Sequence, residues 1–212
     1  MTAWALRLTR EELAPAALRA LPRGPRVLYA CDGAVTVSHG GAEQPLAADG
    51  AWHGTGATTI RAGDRGAVLL CWELTSKAGT PRGDALLEHS LDLDPTTPWL
   101  MRCDRVDFEP GGVALPHRHR GGGIRCLLTG ALEVTVGDAP PRAVRPGGSW
   151  FESGREPVLA RAAQEPTSFV RVSILPAEIR GRTSILYVDP ADASRGKPRR
   201  YTVWVDEPIA LP

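Results

Sequence analysis

Short runs of apolar and β-branched residues, separated by glycine-rich turns, dominate the chain after its first 25 residues. These runs cover residues 26–29, 34–38, 57–61, 67–74, 184–188 and 201–205. Strands of a half-buried sheet give this pattern, because their side chains alternate between two faces and tight turns need special backbone conformations. The 23 glycines and 19 prolines favour many tight turns over long helices. The pattern therefore predicts an all-β protein.

The N-terminal segment has a different pattern, which predicts one short helix. Glu12 follows Thr9 by three residues, which is the arrangement of a capping box. Leu13 and Leu21 then fall on one face at helical spacing, and Pro22 would end the helix. We therefore expect a short N-terminal helix before the first strand.

The chain also resembles itself at an offset of about 97 residues. The segment 148–154 repeats the glycine and tryptophan pattern of 50–56 at an offset of 98. The segment 124–132 repeats the strand-like run and following glycine of 27–35 at an offset of 97. Two blocks that agree within one residue indicate a duplication. The predicted organisation is a first β module at residues 1–75, a connection at 76–98, a second β module at 99–176 and a tail at 177–212.

Composition and charge narrow the functional classes. The chain has 212 residues, 42% of them hydrophobic, which is enough for a sizeable core in a soluble globular protein. Its 25 basic and 24 acidic residues give a net charge of +1, so no whole-molecule field attracts nucleic acid or a membrane surface. No apolar stretch approaches the 18 residues that indicate a membrane span. We expect a cytoplasmic protein with neither kind of partner.

The four cysteines argue against a disulfide framework or a zinc cluster. Cys31, Cys71, Cys103 and Cys126 are widely spaced and form no C-x-x-C arrangement. Two of them, Cys71 and Cys126, lie in strongly apolar runs, where a free thiol behaves as a small hydrophobic residue. We predict free and mostly buried thiols.

Residues 117–130 carry the side chains with the most distinctive chemistry. His117 and His119 are one residue apart, so in a strand they project to the same side, where neutral imidazoles could share a metal or flank a ligand. Three glycines, 121–123, follow, and Arg125 then lies in an apolar strand. If the register continues through the glycines, Arg125 faces the same side as the histidines, whereas a bend or bulge there would change its direction.

The spacing of Gly111, His117, His119 and Gly130 resembles the first sequence motif of the cupin superfamily, and residues 146–151 resemble its second motif. This resemblance implies two tandem jelly-roll barrels of the RmlC-like type, which together form a bicupin. It also implies that His117 and His119 bind a divalent metal, such as iron, manganese, nickel or zinc, in the C-terminal barrel.

The chain departs from the family pattern at two of the four usual metal ligands. The glutamate of the first motif corresponds to Gly123 or Ile124, and the histidine of the second motif corresponds to Phe151. A guanidinium at Arg125, about 6 Å from a dication, would repel it by about 5 kcal/mol. A weak or absent metal is therefore as compatible with the sequence as a bound one. His53 has the place of Phe151 in the first module, where no partner ligands are predicted.

Two functional hypotheses follow. In the first, the C-terminal barrel binds a small anionic metabolite such as a carboxylate, with His117, His119, Arg125 and Phe151 at the ligand. This function could extend to metal-assisted oxygenase or isomerase activity, dioxygenase-like as in many cupins. In the second, Arg125 pairs with an internal acid, Phe151 fills the place of the lost ligand, and the protein is a non-catalytic, metal-free sensor or self-association module.

Two further expectations concern packing and assembly. Trp52 and Trp150 occupy equivalent repeat positions, and we predict that both anchor the packing of their modules. Cupins often form dimers through terminal strands, so the tail 177–212 could pair with a second copy in a homodimer. It could equally cover an open sheet edge of its own chain.

Overall fold

A computed structural model of the chain describes residues 4–76, 85–195 and 199–212. In these ranges the regular structure consists of β-strands and two short 3-10 helices, Ala177–Ile179 and Pro190–Ser194. The strands of the first half are β1 Trp4–Leu13, β2 Leu18–Leu21, β3 Arg26–His39, β4 Ala42–Ala47, β5 Ala51–Gly54, β6 Thr58–Ser76 and β7 Ala85–Leu91. Those of the second half are β8 Trp99–Phe108, β9 Val113–His119, β10 Gly123–Thr129, β11 Leu132–Val136, β12 Arg142–Val144, β13 Ser149–Glu152, β14 Val158–Ala162, β15 Thr167–Pro176, β16 Ile185–Tyr187 and β17 Arg199–Ile209.

The prediction of an N-terminal helix is wrong. The segment instead forms β1 and β2, joined by a turn in which Ala16 has a φ of 57°. β1 lies between β6 and β7 and pairs with both, and its first six residues are buried. A strand with neighbours on both edges satisfies its backbone hydrogen bonds within the sheet, so this tertiary pairing outweighs a capping-box pattern and a helical spacing.

The chain divides into two compact units. One comprises Met1–Met101 with Glu207–Pro212, and the other comprises Arg102–Asp206. Within the predicted connection 76–98, residues 77–84 lie outside the described ranges, and β7 follows them as an edge strand on β1.

The first unit is built on one strongly curved sheet. The strand order is β4-β3-β6-β1-β7, with β2 paired to β6 and β5 paired to β3. β3 and β6 have 14 and 19 residues, so each passes through bulges and contributes to both sides of the fold. The interior contains a buried ion pair between Arg26 and Glu73. Its apolar cluster is formed by these buried residues: Leu21, Leu28, Ala30, Val35, Val37, Leu46, Ile60, Ala62, Ala67, Leu69 and Cys71.

The second unit consists of two five-stranded sheets that enclose a core. Their strand orders are β13-β10-β15-β8-β17 and β12-β11-β14-β9-β16. Both sheets contribute to the apolar cluster between them: Val106, Phe108, Ala114, Leu127, Leu132, Val134, Val144, Trp150, Val158, Ala160, Ala162 and Phe169. Trp150 is only 4% exposed, and Trp52 packs half-buried against the first core, so both tryptophans are packing residues as predicted.

The two units repeat the same order of elements. β5 pairs with β3 in the first unit as β13 pairs with β10 in the second, and the long strands β3 and β6 correspond to β10–β11 and β14–β15. Gly33 and Gly130 lie at the equivalent bends, with φ values of 71° and 73°. This correspondence agrees with the duplication that the sequence indicates.

The four cysteines, all within the described ranges, are free thiols, and three of them are buried. The prediction of unpaired thiols is confirmed. Across the described part of the chain, no helix has the length and apolar character that a membrane crossing requires.

The bend at Gly130 gives a test of the fold. A β-carbon at Gly130 would collide with Thr167 Oγ1 and lie 2.7 Å from the Pro166 carbonyl oxygen, whereas one at Gly147 (φ 83°) would meet nothing within 4 Å. We expect Gly147→Ala to lower the free energy of unfolding by about 1 kcal/mol from backbone strain alone. Gly130→Ala should cost about 3 kcal/mol or more, because the collision adds to the strain. Urea unfolding of both variants measures the difference, and equal losses would contradict the described bend.

Candidate functional site

The candidate site is a cavity inside the second unit, between its two sheets. His117 and His119 reach it from β9, Arg125 from β10 and Glu152 from β13. All four side chains are buried, although each carries an ionisable group. A cluster of this kind is costly unless its members neutralise one another, so its internal contacts decide what it can do.

Burial keeps His117 neutral, and a backbone contact fixes its tautomer. Its Nδ1 lies 2.7 Å from the carbonyl oxygen of Leu115. A carbonyl only accepts hydrogen bonds, so Nδ1 carries the proton and Nε2 keeps its lone pair. Burial lowers the pKa of His117, and this effect outweighs the hydrogen bond to Leu115, which raises it. The side chain therefore presents an acceptor nitrogen at neutral pH.

His119 is neutral for the same reason and lies beside its neighbour. The two imidazole centroids are 4.9 Å apart, with the rings nearly perpendicular. Burial lowers the pKa of His119 to about 3, although the nearby carboxylate of Glu152 raises it. His119 Nε2 lies 3.1 Å from Glu152 Oε2, a contact that favours the tautomer with the proton on Nε2.

Glu152 and Arg125 form the ionic centre of the cavity. Arg125 is fully buried, and its Nη2 lies 2.6 Å from Glu152 Oε2, so the two groups form an ion pair. The angles at this contact do not meet those of a hydrogen bond. The other carboxylate oxygen accepts a 2.8 Å hydrogen bond from Trp150 Nε1. Burial would raise the pKa of Glu152, but the charge of Arg125 and the donors of His119 and Trp150 hold that pKa well below its usual range.

The charge of Arg125 persists despite its burial. Desolvation lowers the pKa of Arg125 to about 10, partly offset by Glu152, so the guanidinium remains protonated at neutral pH. Its Nη1 donates to the carbonyl oxygen of Gly123. The alternative that the sequence left open, an ion pair with an internal acid, is therefore what the structure contains.

A second set of polar side chains lies next to this centre. Arg171 makes two contacts with the Asp104 carboxylate, of 2.7 and 3.1 Å. Arg199 donates from Nε to the hydroxyl oxygen of Tyr201 and lies 3.4 Å from that of Tyr187. Its guanidinium also lies over the rings of Phe108 and Tyr201, at 6.0 and 5.7 Å. Arg171, Arg199 and Tyr201 line the same cavity as the histidines.

A larger pocket shares two wall residues, Arg171 and Tyr201, with the cavity. The inner cavity leaves a volume of about 20 Å³, which suits a water molecule rather than an organic ligand. Arg171 and Tyr201 also line a pocket of about 370 Å³, whose other walls include Ile185, Val203 and the Arg102–Asp206 ion pair. A pocket of this volume can hold a small metabolite.

The structure brings together three of the four residues that the sequence nominated. His117, His119 and Arg125 line one cavity, whereas Phe151 does not line it. Arg125 pairs with Trp150 across the sheet, so alternation turns Phe151 to the opposite face of β13 and brings Glu152 inward. The expectation that Phe151 fills the place of a lost ligand therefore fails.

Sequence reasoning missed Arg171, Arg199 and Tyr201 at this cavity, and it considered Glu152 only as a possible replacement metal ligand without assigning it to the site. A signal for Glu152 existed, because Trp150 was predicted to be buried and the residue two positions later shares its face. Arg171 interrupts an apolar strand as Arg125 does, which is the same signal. No local pattern pointed to Arg199 and Tyr201, which come from the tail.

The residues present do not fit a tightly held divalent metal. Within the described ranges, no group of three or more histidine, cysteine, aspartate and glutamate side chains is arranged to hold one. The Glu152 carboxylate already faces Arg125, His119 and Trp150, and a dication would have to displace the guanidinium. We therefore derive no chemistry through a metal.

The first unit lacks an equivalent centre. Leu28 and Trp52 are paired across β3 and β5 where Arg125 and Trp150 are paired in the second unit, and Gly54 stands at the place of Glu152. His53 is half-buried, burial lowers its pKa, and its Nε2 has no hydrogen-bond partner in the described part of the chain. The cavity with the two histidines thus belongs to the second unit, whereas the first unit buries a different ion pair, between Arg26 and Glu73.

No protein-family model matches the sequence, and no curated protein matches it. Solved structures do match the fold. An oxalate decarboxylase variant from Bacillus subtilis has a TM-score of 0.68 at 12% identity, over 90% of this chain and 73% of that one. AerE from Microcystis aeruginosa has a TM-score of 0.64 at 12% identity, over 80% and 88% of the two chains.

A cupin 2 conserved barrel domain protein from Leptotrichia buccalis has a TM-score of 0.51 at 16% identity, over 82% of this chain and 84% of that one. Identities this low show the fold alone. Two units with a repeated strand order, and matches that span most of the chain, confirm the predicted resemblance. This chain has a two-barrel fold similar to that of bicupins.

Proposed function

We propose that the second unit binds a small organic anion, such as a carboxylate, and does so without a tightly held metal ion. The observation that carries this proposal is an excess of buried positive charge. Arg125, Arg171 and Arg199 contribute three guanidinium groups, and Glu152 and Asp104 contribute two carboxylates. Because both histidines are neutral, these five groups carry one positive charge in excess, and the neighbouring Arg102 is already paired with Asp206.

The excess charge is assigned to Arg199 by its contacts. Arg125 lies against Glu152, and Arg171 lies against Asp104. The hydrogen-bonding partners of Arg199 among the described residues are two phenol oxygens, which carry no charge at neutral pH. A buried guanidinium without a carboxylate is costly, so an anion that approaches it gains free energy.

The large pocket is the place where such an anion fits. The inner cavity of about 20 Å³ is too small, whereas the adjoining pocket of about 370 Å³ is lined by Arg171 and Tyr201. Tyr201 accepts its hydrogen bond from Arg199 with the phenol oxygen, so its own O–H remains available to donate to an anion. Ile185 and Val203 would contact the apolar part of the ligand.

The original assignment of the anion to Arg125, His117 and His119 is thereby modified. Glu152 already neutralises Arg125, and the histidines lie on the narrow inner side of the pocket. We place the ligand carboxylate near Arg171 and Tyr201, with Arg199 supporting the Tyr201 hydroxyl from the inner side. His117 Nε2 keeps its lone pair on the inner side, so it could accept a proton from a ligand.

An anion that binds the folded state should stabilise it. We expect the melting temperature to rise with at least one member of a panel of small mono- and dicarboxylates, by several degrees at about 100 times the dissociation constant. Arg199→Met should weaken binding about tenfold or more, because it removes the excess charge. The matched control is Arg200→Met, since Arg200 is the next residue and its side chain is 80% exposed.

Differential scanning fluorimetry and calorimetric titration measure these effects. Two results would refute anion binding at this pocket: a panel in which no acid raises the melting temperature, or equal affinity in the Arg199→Met and Arg200→Met proteins.

The neutral histidines predict how stability depends on pH. In the unfolded chain a histidine has a pKa of about 6.5, whereas burial lowers the pKa of His117 and lowers that of His119 to about 3. Between these pKa values the unfolded state binds more protons than the folded state. The free energy of unfolding is therefore highest above about pH 6.5, and it falls on acidification by at most about 1.4 kcal/mol per pH unit for each histidine.

Thermal unfolding from pH 7.5 to pH 4.5 checks this sign. His119→Gln should flatten the pH dependence, whereas His89→Gln, at an exposed position on β7, should leave it unchanged. A wild-type protein that is as stable at pH 5 as at pH 7.5 would show that these histidines are not buried and neutral.

The expected homodimer stays a prediction. β17 lies at the edge of its sheet, and Val203 and Trp204 on it are 55% and 43% exposed. An edge strand with exposed apolar residues can pair with a second copy. Light scattering on the purified protein would give the mass, and a monomer at micromolar concentration would contradict the expectation.

A further inference from the structure

We infer that Arg125 occupies the place of a metal ion in this barrel, and that removing its charge converts His117, His119 and Glu152 into a divalent-metal site. This inference does not depend on the anion site, because it concerns the inner cavity and is read out by metal binding alone.

Two of the three ligand atoms already have a spacing that suits one ion. His119 Nε2 and Glu152 Oε2 are 3.1 Å apart. Two ligands bound at about 2.1 Å to one ion, at tetrahedral or octahedral angles, are about 3.0–3.4 Å apart. The His117 ring lies 4.9 Å from the His119 ring and lines the same cavity. The three side chains are not arranged around one ion as they stand, so His117 must move to supply the third ligand.

The Glu152 carboxylate comes from β13. This strand pairs with β10, which contains the motif position that holds a glutamate in cupins. Gly123, at that motif position, pairs directly with Glu152 across β10 and β13. A β-carbon at position 123 would lie 2.5 Å from both Ser173 Oγ and the Val172 carbonyl oxygen, so the barrel has no room for a glutamate there. Glu152 thus supplies an acidic group to the same region from the neighbouring strand.

Arg125 supplies the charge that a metal would otherwise provide. Its guanidinium is in contact with the carboxylate oxygen that faces His119. A dication a few ångströms from this fixed cation would be repelled by several kcal/mol, so the two cannot occupy the cavity together. The substitution of one cation for the other explains why two histidines and an acid can cluster without holding a metal.

The hydrogen-bond geometry indicates that arginine is an imperfect replacement. Arg125 Nε, Arg125 Nη2 and Glu152 Oε2 are buried and lack an aligned hydrogen bond within the described part of the chain. Buried polar atoms normally make hydrogen bonds. At this contact the two charges are opposite, but the N–H groups of Arg125 do not point along hydrogen-bond directions to the carboxylate oxygen. A spherical ion imposes no such directional requirement on the oxygen.

The test measures Co²⁺ binding by its visible absorption and by calorimetric titration. We expect Arg125→Met to bind close to one equivalent of Co²⁺, at least tenfold more tightly than the wild type. Arg125→Lys, which keeps the positive charge, should remain like the wild type. Adding Glu152→Gln or His119→Gln to Arg125→Met should abolish the gain.

Three results would overturn the inference. The first is equal Co²⁺ affinity in the Arg125→Met and Arg125→Lys proteins. The second is a gain in Arg125→Met that persists when Glu152→Gln is added. The third needs no change at Arg125: one equivalent of Co²⁺ bound tightly by the wild type and lost in His119→Gln would show that Arg125 does not exclude a metal.

Circular dichroism and thermal unfolding verify that each variant is folded, and Arg125→Gln replaces Arg125→Met if the latter unfolds. The anion-induced rise in melting temperature is a separate readout that depends on Arg199. A failure of metal uptake therefore leaves the proposed anion site untouched, and a failure of anion binding leaves the metal result interpretable.

Discussion

The contact between Arg125 and Glu152 is the interaction on which the interior of the second barrel depends. Both groups are buried where an isolated charge has a large desolvation cost, and the attraction between them offsets that cost. The carboxylate also fixes the orientation of His119 and receives the indole N–H of Trp150, which itself belongs to the apolar core. One ion pair thus links the packing of the barrel to the chemistry of its cavity.

The two units place buried ion pairs at different positions of a repeated strand order. In the first unit Leu28 and Gly54 stand where the second unit has Arg125 and Glu152, and the surrounding strand pairings are the same. The charged pair occupies neighbouring cross-strand positions, so a change at either one alone would leave a buried charge without its partner. The duplicated scaffold therefore carries its buried ion pairs at different positions: Arg125 with Glu152 in the second unit, and Arg26 with Glu73 in the first.

The repeat, the strands and the common direction of the two histidines could all be predicted, because alternation along a strand and recurrence at a fixed offset are local signals. The first strand, β1, could not be predicted, and a helix was expected in its place. The burial of residues 4–9 arises from pairing with β6 and β7, which are distant in the sequence. Aligning the second motif by its histidine position selected Phe151, whereas alternation from the buried Trp150 would have selected Glu152. Arg199 and Tyr201 reach the cavity from the tail, and no spacing rule connects them to residues 80 positions earlier.

The central claim is that the cation in this barrel is an arginine beside two neutral imidazoles rather than a metal. Nitrogen-15 NMR of the histidine ring nitrogens at pH 7, recorded before and after addition of EDTA, tests it most directly. We predict His117 protonated only at Nδ1, His119 protonated only at Nε2, and spectra that the chelator does not change. Ring nitrogens that shift on chelation, or imidazolium signals from either residue, would contradict the claim.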